Sequence, residues 1–263
     1  MIENFTLGAD PEMFIVNKSN GKVISAIGLI PGTKAEPCPI KELGDGFAMQ
    51  TDNILSEFNI PKCYGVSEFI DNIKIAKSYI QKYVKSINKD LDILCAASMD
   101  VDSDQLQHKQ AKLFGCDPDY NAYTEERNPK PVDAAKHNLR SAGFHIHIGY
   151  ENNNIDESLY LIKVLDTFLG LPSVIRDTDT RRRSLYGKAG SFRLKPFGLE
   201  YRVLSSKMLE DDNLIFVAKA IGNAINAYNC GKRLPKADYV RLAIDSSNVD
   251  LAKLICNDYC IKY

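Results

Sequence analysis

Gly143-Phe144-His145-Ile146-His147-Ile148-Gly149 is the stretch on which the fold turns. Successive side chains on a β-strand point to opposite faces, so the two histidines of this segment go one way and the two isoleucines the other. The same parity recurs in Leu199-Glu200-Tyr201-Arg202-Val203, where a carboxylate and a guanidinium share a face above an apolar underside. Glu57 and Asn59 alternate with Phe58 and Ile60 in the same way. A sheet with one apolar face and one face of carboxylates, imidazoles and arginines points to chemistry. Clustering such groups costs free energy unless metals or anions compensate.

With 263 residues the chain is long enough for one large domain with a sizeable core. An apolar fraction of 44% and a charged fraction of 25% are ordinary for a soluble globular protein. A net charge of −1 supplies no long-range field for nucleic acid or an anionic membrane. No apolar run approaches the roughly 20 residues needed to span a bilayer, and Met1-Ile2-Glu3-Asn4 lacks the features of a secretion signal. The cysteines, at Cys38, Cys63, Cys95, Cys116, Cys230, Cys256 and Cys260, are odd in number and not tightly paired. Reduced thiols in a cytoplasmic compartment are the expectation. Cys256 and Cys260 read as two half-buried small side chains rather than zinc ligands.

Residues 5–16 read as a strand interrupted at Gly8-Ala9-Asp10-Pro11, followed by a turn at Ser19-Asn20-Gly21 and a strand at 22–28. A Pro- and Gly-rich loop covers 31–46, and strands follow near 46–51 and 54–60. Apolar residues at Val66, Phe69, Ile70, Ile73, Ala76, Ile80, Val84 and Ile87 mark a helix over 66–87. Next come a strand near 91–99, a short polar helix near 103–113 and a long loop over 115–133. The histidine strand leads into a helix over 156–170, an arginine-rich loop over 176–190 and strands at 190–196 and 198–205. Helices are expected at 214–228, 236–244 and 248–260. Strands in runs with irregularly interspersed helices favour an α+β fold, a mainly antiparallel sheet covered on one face by helices. The whole of 1–263 reads as one catalytic domain, with 231–263 as a helical extension.

Glu12, Glu57 and Glu200 on one sheet face repel one another unless divalent cations sit between them. Oxygen-rich ligation with an imidazole or two suits Mg²⁺ or Mn²⁺. A solvent-exposed edge glutamate is the plainer alternative for each alone, less so for three together. His145 and His147 lie between Gly143 and Gly149, which remove side chains where something must approach the backbone. Arg181, Arg182 and Arg183 form a run of which at least one is expected only to be solvated, whereas Arg193 and Arg202 lie on strands beside Glu200. Guanidinium forks suit phosphate and carboxylate oxygens. Gly187-Lys188-Ala189-Gly190 lacks the Walker spacing, yet its backbone N–H groups are candidates for cradling a phosphate. Metal-binding carboxylates with arginines on the same face describe a nucleoside triphosphate site.

In this order, Gly-x-Asp-Pro-Glu at 8–12, Asp-x-x-x-x-Glu-Phe-Asn at 52–59, Gly-Phe-His-Ile-His-Ile-Gly at 143–149 and Tyr-Gly-Lys-Ala-Gly-x-Phe-Arg-x-Lys-Pro-Phe-Gly-Leu-Glu-Tyr-Arg at 186–202 form a pattern. The pattern resembles the phage-type carboxylate–amine ligases (COOH–NH2 ligase type 2) of the glutamine synthetase and glutamate–cysteine ligase superfamily, over roughly residues 5 to 230. The resemblance implies a curved antiparallel sheet whose concave face holds ATP and two or three Mg²⁺ ions. It implies a reaction in which ATP phosphorylates a carboxylate and an amine displaces the phosphate to give an amide. Carried over by position, Glu12, Glu57, His145 and Glu200 would bind metal, and His147 would lie against ATP with Arg183, Lys188 and Arg193. Arg193 and Arg202 would act on the transferring phosphate and the substrate carboxylate. The resemblance also implies small-molecule or peptide substrates and, through a phage origin, a bacterial host's cytoplasm. The chain departs from the pattern at Asn53, which tolerates the left-handed backbone, and at Phe144 before the first histidine. The segment 114–120 looks family-like without a chemistry to assign. Two other classes stay open: a metal-dependent hydrolase built on His145 and His147, and a binding protein that keeps the ligase fold without catalysis.

Overall fold

The computed structural model describes residues 1–112, 119–129, 137–151 and 154–263. The expected loop over 115–133 falls partly outside these residues, as do Cys116 and most of the family-like segment 114–120. Strands β1 (Phe5–Asn17), β2 (Val23–Ile24), β3 (Cys38–Pro39), β4 (Ala48–Asp52), β5 (Leu55–Asn59) and β6 (Leu91–Leu94) come from the first part of the chain. Strands β8 (Tyr120–Asn121), β10 (Phe144–Tyr150), β11 (Ser191–Lys195) and β12 (Gly198–Tyr201) complete one sheet, and β7 (Ser98–Asp100) pairs with β9 (Leu139–Ser141). The main sheet runs β3-β4-β5-β1-β10-β12-β11-β8, with β2 and β6 also on β1. Every strand pair is antiparallel. This is the expected α+β class.

Six α-helices are described: α1 (Val66–Ile87), α2 (Ile155–Leu165), α3 (Leu171–Arg176), α4 (Asp211–Asn229), α5 (Ala237–Asp245) and α6 (Val249–Asp258). The stripe of α1 buries Phe69, Ile73, Ala76, Ile80 and Val84. These join Leu7 and Ala9 of β1, Phe144, Ile146 and Ile148 of β10, and Leu199 and Tyr201 of β12 in the main core. The apolar face of the sheet is therefore covered by helices, and the residues between point the other way. Val240, Ile244, Ala252 and Ile255 of the last two helices belong to that same core.

β1 is the organising strand, and it corrects the expected interruption at 8–11. It runs unbroken through Pro11. Residues Phe5–Pro11 pair with β10, and from Glu12 onward β1 pairs with β5, β2 and β6. Pro11 thus stands where one ladder ends, a place where a missing N–H costs little. The side that carries Asp10 and Glu12 turns apolar at Phe14 and Val16, which pack with Val101, Leu106 and Ala111 in a second, smaller core.

The helix expected over 156–170 continues to Arg176 through a π-helical turn at Asp166–Gly170. Pro172 lies in the first turn of α3, where its lack of an N–H is tolerated. The resulting 22-residue rod is apolar enough to cross a membrane, but 83% of its most apolar window is buried inside the protein. It is a core helix here. The described part of the helix expected near 103–113 forms two short 3₁₀ turns, Ser103–Leu106 and Gln110–Lys112, 91–99 splits into β6 and β7, and 198–205 is strand only to Tyr201. β3, β8 and β9 have two or three residues each, too few for any periodicity to show. The described cysteines are all free thiols; Cys256 is buried and Cys260 exposed.

Candidate functional site

Cross-strand pairing assembles the polar face. Asp10 lies opposite His145 and Gly8 opposite His147, His147 opposite Glu200 and Glu200 opposite Arg193. Glu12 lies opposite Glu57, and Glu57 opposite Gln50. Directly opposed residues share a face. Glu12, Glu57, His145, His147, Arg193 and Glu200 are therefore brought together, and Arg202 joins them through its bond to Glu200.

Their charged atoms form two adjoining groups. Glu12, Asp52 and Glu57 each place a carboxylate oxygen within 4.8 Å of the others, and Asp10, His145 and Glu200 each place a ligand atom within the same mutual distance. In the first group Glu12 Oε2 accepts from the Gly143 N–H at 2.6 Å, and Glu57 Oε1 accepts from Gln50 Nε2 at 2.7 Å. Burial, then repulsion from Asp10, Asp52 and Glu12, pushes the Glu57 carboxyl well above its usual range. Burial also raises Glu12, against the pull of the His145 charge. Buried carboxylates so close together must hold protons or share a cation.

The second group is poor in protons and rich in positive neighbours. His145 Nδ1 lies 3.3 Å from Asp10 Oδ1 and 3.7 Å from Glu200 Oε1, and His147 Nε2 lies 3.5 Å from Asp10 Oδ1. Burial acts to raise Asp10, yet His147 and His145 outweigh it and hold this carboxyl well below the usual range. Glu200 bonds to Arg202, with Arg193 Nη1 at 3.5 Å and Lys195 Nζ at 2.8 Å. Burial opposes ionisation of Glu200, but Arg202, His145 and Arg193 bring it down to about 2. Burial lowers His147, and the charge of Asp10 more than reverses that, so its imidazole is raised. Asp10 Oδ1 and His147 Nε2 are buried without a hydrogen bond in spite of these short approaches. The unsatisfied Asp10 oxygen, in a group whose ligand atoms from Asp10, His145 and Glu200 lie within 4.8 Å of one another, fits a divalent cation.

A cleft opens beside both groups, walled by Glu12, Asp52, His145, Arg140, Arg182 and Arg202 among others. Arg182, and not Arg183, reaches it from the arginine run. Its Nε donates to the Ala142 carbonyl at 3.3 Å and its Nη1 to that of Val203 at 3.0 Å. Asp179 Oδ1 fixes the turn by accepting from the N–H groups of Arg181 and Arg182 at 2.8 and 2.9 Å. Arg183 is equally buried but donates to Ser247 and Ser173 of the helical layer, away from the cleft. Arg181 is the exposed member, paired with Asp100 at 2.6 Å.

The loop 187–190 differs from the expected phosphate cradle. Ala189 N–H donates to Asp245 at 2.8 Å and Gly190 N–H to Asp166 at 2.6 Å, so these donors hold the protein's own carboxylates. Lys188 is exposed. Gly187 has φ +76 and lies directly under the Arg182 guanidinium, where a Cβ would overlap it. Gly187→Ala is expected to displace Arg182 and cost about 1–3 kcal/mol, from overpacking and left-handed strain. An unchanged urea midpoint would contradict that.

The flanking glycines serve the protein itself. A Cβ at Gly143 would lie 2.6 Å from His145 Nε2, so Gly143 makes room for the imidazole. Phe144 points to the opposite face and stacks on Phe69 at 6.4 Å, leaving the approach to His145 unaffected. Asn53 adopts φ 53 in the β4–β5 turn, as its side chain permits.

Asp10, Asp52, Arg140 and Lys195 also stand at the candidate site with no role assigned to them from the sequence, where Arg182 is named only as one of the arginine run. Asp10 shares parity with Glu12, a signal hidden by reading a break at 8–11. Lys195 shares parity with Arg193 in the same way. Arg140 sits on the three-residue β9, too short to be recognised.

Residues 134–229 match the family model described as phage phiEco32-like COOH.NH2 ligase-type 2. No curated protein matches the chain in sequence. Among solved structures it is similar to a Plasmodium falciparum glutamine synthetase, with TM-score 0.46 and 11% identity over 89% of this chain and 53% of that one. It is similar to a bifunctional glutathione synthetase from Pasteurella multocida, with TM-score 0.43 and 10% identity over 98% of this chain and 47% of that one. A glutamine synthase homolog gives TM-score 0.42 and 10% identity over 98% of this chain and 67% of that one. The chain spans about half the length of the first two. It is in the stretch that carries His145, His147, Arg182, Arg193, Glu200 and Arg202 that this chain matches the phage-type carboxylate–amine ligases, the family its motif order resembles.

Proposed function

We propose that the protein is an ATP- and Mg²⁺-dependent carboxylate–amine ligase that forms an amide through an acyl phosphate. The observation that carries this reading is the pairing of two carboxylate-rich ligand groups, Glu12/Asp52/Glu57 and Asp10/His145/Glu200, on one sheet face beside a guanidinium-lined cleft. The donor set fits Mg²⁺, with Mn²⁺ as a substitute, because it is dominated by carboxylate oxygen and includes one imidazole. When bound there, the ions offset charge on the triphosphate.

The chain's own residues supply the rest. His147 and Arg193 line the region beside Glu200 where the phosphates would lie. Arg202 and Arg182 hold fixed positive charge against the negative charge that develops on phosphoryl transfer and on the tetrahedral oxyanion. A carboxylate is a poor electrophile, and its phosphorylation makes amine attack feasible only if water is excluded. Burial of Glu12, Glu57, Glu200, Arg182 and Arg202 supports such a dry site. Small-molecule or peptide acids and amines are the substrate classes proposed, and the host cytoplasm, where ATP is plentiful, the compartment.

The test is a screen of acid and amine pairs for ADP release with Mg²⁺, followed by mass spectrometry of the product. Amide formation with stoichiometric ADP is the expected result. Tightly held zinc with ATP-independent cleavage of an amide or phosphoester would put the hydrolase reading in its place. No nucleotide binding by calorimetry in the presence of Mg²⁺ would favour a non-catalytic protein.

A further inference from the structure

Tyr201 lies on β12 between Glu200 and Arg202, so its side chain leaves the polar face and enters the helical layer, fully buried. There its hydroxyl donates to Asp166 Oδ1 at 2.7 Å. The other oxygen, Asp166 Oδ2, accepts from the N–H of Gly190 at 2.6 Å, immediately before β11. One carboxylate thus grips two adjacent strands from behind, β12 with Glu200 and β11 with Arg193.

The helix is shaped to make this grip. Asp166 opens the π-helical turn that interrupts the rod between α2 and α3, a widening often found at functional positions. A Cβ at Gly170, the last residue of that turn, would lie 2.7 Å from the Tyr201 hydroxyl and 2.9 Å from Ile244 Cδ1. The wide turn and the missing side chain together form the socket for the tyrosine. A fully buried carboxyl is an expensive way to fill a helix core, where leucine would pack without a polar penalty. Burial pushes Asp166 up to about 7, with the hydrogen bonds of Tyr201, Tyr123 and Gly190 pulling it back and Asp245 adding repulsion. Arg183 and Arg241 are the cations nearest its two tyrosine partners.

We propose that Asp166 is a positioning residue for the site: through Tyr201 and Gly190 it fixes the rotation of β12 and β11, and with it the directions of Glu200, Arg202 and Arg193. The proposal rests on reading that face as a nucleotide and metal site. A backbone that carries Tyr201 outward carries its neighbours inward, so loosening the tyrosine swings Glu200 and Arg202 together.

The test compares Asp166→Ala, Asp166→Asn and Tyr201→Phe by three readouts: ADP release, Mn²⁺ affinity by electron paramagnetic resonance, and amide hydrogen exchange in β11 and β12. Asparagine keeps both contacts, because its oxygen accepts one donor and its amide donates to the tyrosine hydroxyl, which also accepts. Asp166→Ala and Tyr201→Phe are expected to lower kcat by about 10- to 100-fold with ATP KM changed less than about threefold, to weaken Mn²⁺ binding and to speed exchange in both strands. Asp166→Asn is expected to stay within about threefold of the wild type on each measure. Wild-type Mn²⁺ affinity and exchange in Tyr201→Phe, or an Asp166→Asn no better than Asp166→Ala, would overturn the proposal. If Asp166→Ala does not fold, the other two variants decide. A wild type without ADP release or Mn²⁺ binding defeats the nucleotide-site reading instead, and the exchange comparison then decides separately whether Asp166 holds the strands.

Discussion

Glu57→Gln is expected to remove metal-dependent turnover and at the same time to stabilise the metal-free protein. Glu57 is 3% exposed and faces Glu12 and Asp52 at ligand-sharing distance. An amide keeps the bond from Gln50, since its oxygen still accepts. It removes a charge that is buried among like charges. The sign follows from linkage: a carboxyl raised above its unfolded value contributes stability that is fully present below about pH 4.5 and lost as the pH rises through its folded value. At pH 8 in EDTA the variant should therefore be more stable than the wild type by about 1 kcal/mol or more, and the gap should close on acidification. Saturating Mn²⁺ should reverse the order, with affinity in the variant lower by about 100-fold or more, beyond what loss of an outer-sphere partner gives. Thermal unfolding with and without metal reads both effects. Equal Mn²⁺ affinity in the two proteins would exclude Glu57 as a ligand.

At Glu200 the same kind of change should have the opposite effect on stability. Three cations share this carboxylate, Arg202 by a direct bond and Arg193 and Lys195 at 3.5 and 2.8 Å. Glu200 is completely buried and Arg202 nearly so. Taking away one partner of a buried ion pair leaves the other charge uncompensated, at about 3–5 kcal/mol. In EDTA, Glu200→Ala should lower the unfolding free energy measured by urea titration by that amount, and Glu200→Ala combined with Arg202→Met should recover part of it. Wild-type stability in Glu200→Ala would show that solvent or other anions already neutralise Arg202. The two glutamates thus separate by sign: one strains the metal-free fold, the other holds it.

Much of this was legible in the sequence because strand parity is a local property. His145 and His147, Glu200 and Arg202, and Glu57 with Asn59 each declare a common face within three residues. Parity does not say which strands neighbour one another. The partition of the polar side chains into two groups comes from the pairing of β1 with β5 on one side and β10 on the other, which no local pattern encodes. Pro11 concealed Asp10, since proline ordinarily ends a ladder, and here it stands at the place where β1 changes partners. The run Arg181–Arg183 illustrates the other limit. One member is exposed, one enters the cleft and one enters the helical layer, a division set by a single 3₁₀ turn that the sequence does not advertise. The backbone N–H groups of Ala189 and Gly190, which the sequence offers as a phosphate cradle, are taken by the side chains of Asp245 and Asp166.

The unbroken strand at 5–17 also sets a timetable on the ribosome. Phe5 pairs with Tyr150 and Asp10 with His145, so this end of the strand is synthesised well over a hundred residues before its β10 partner. At translation speeds of about 5–20 residues per second, that interval is on the order of 10 s. Throughout it residues 5–11 lack their β10 partner, whereas the partners of residues 12–17 on β2, β5 and β6 are made by residue 94. A chain arrested before residue 200 would hold Glu12, Asp52 and Glu57 yet be unable to complete the group of Asp10, His145 and Glu200, however well its first long helix had formed.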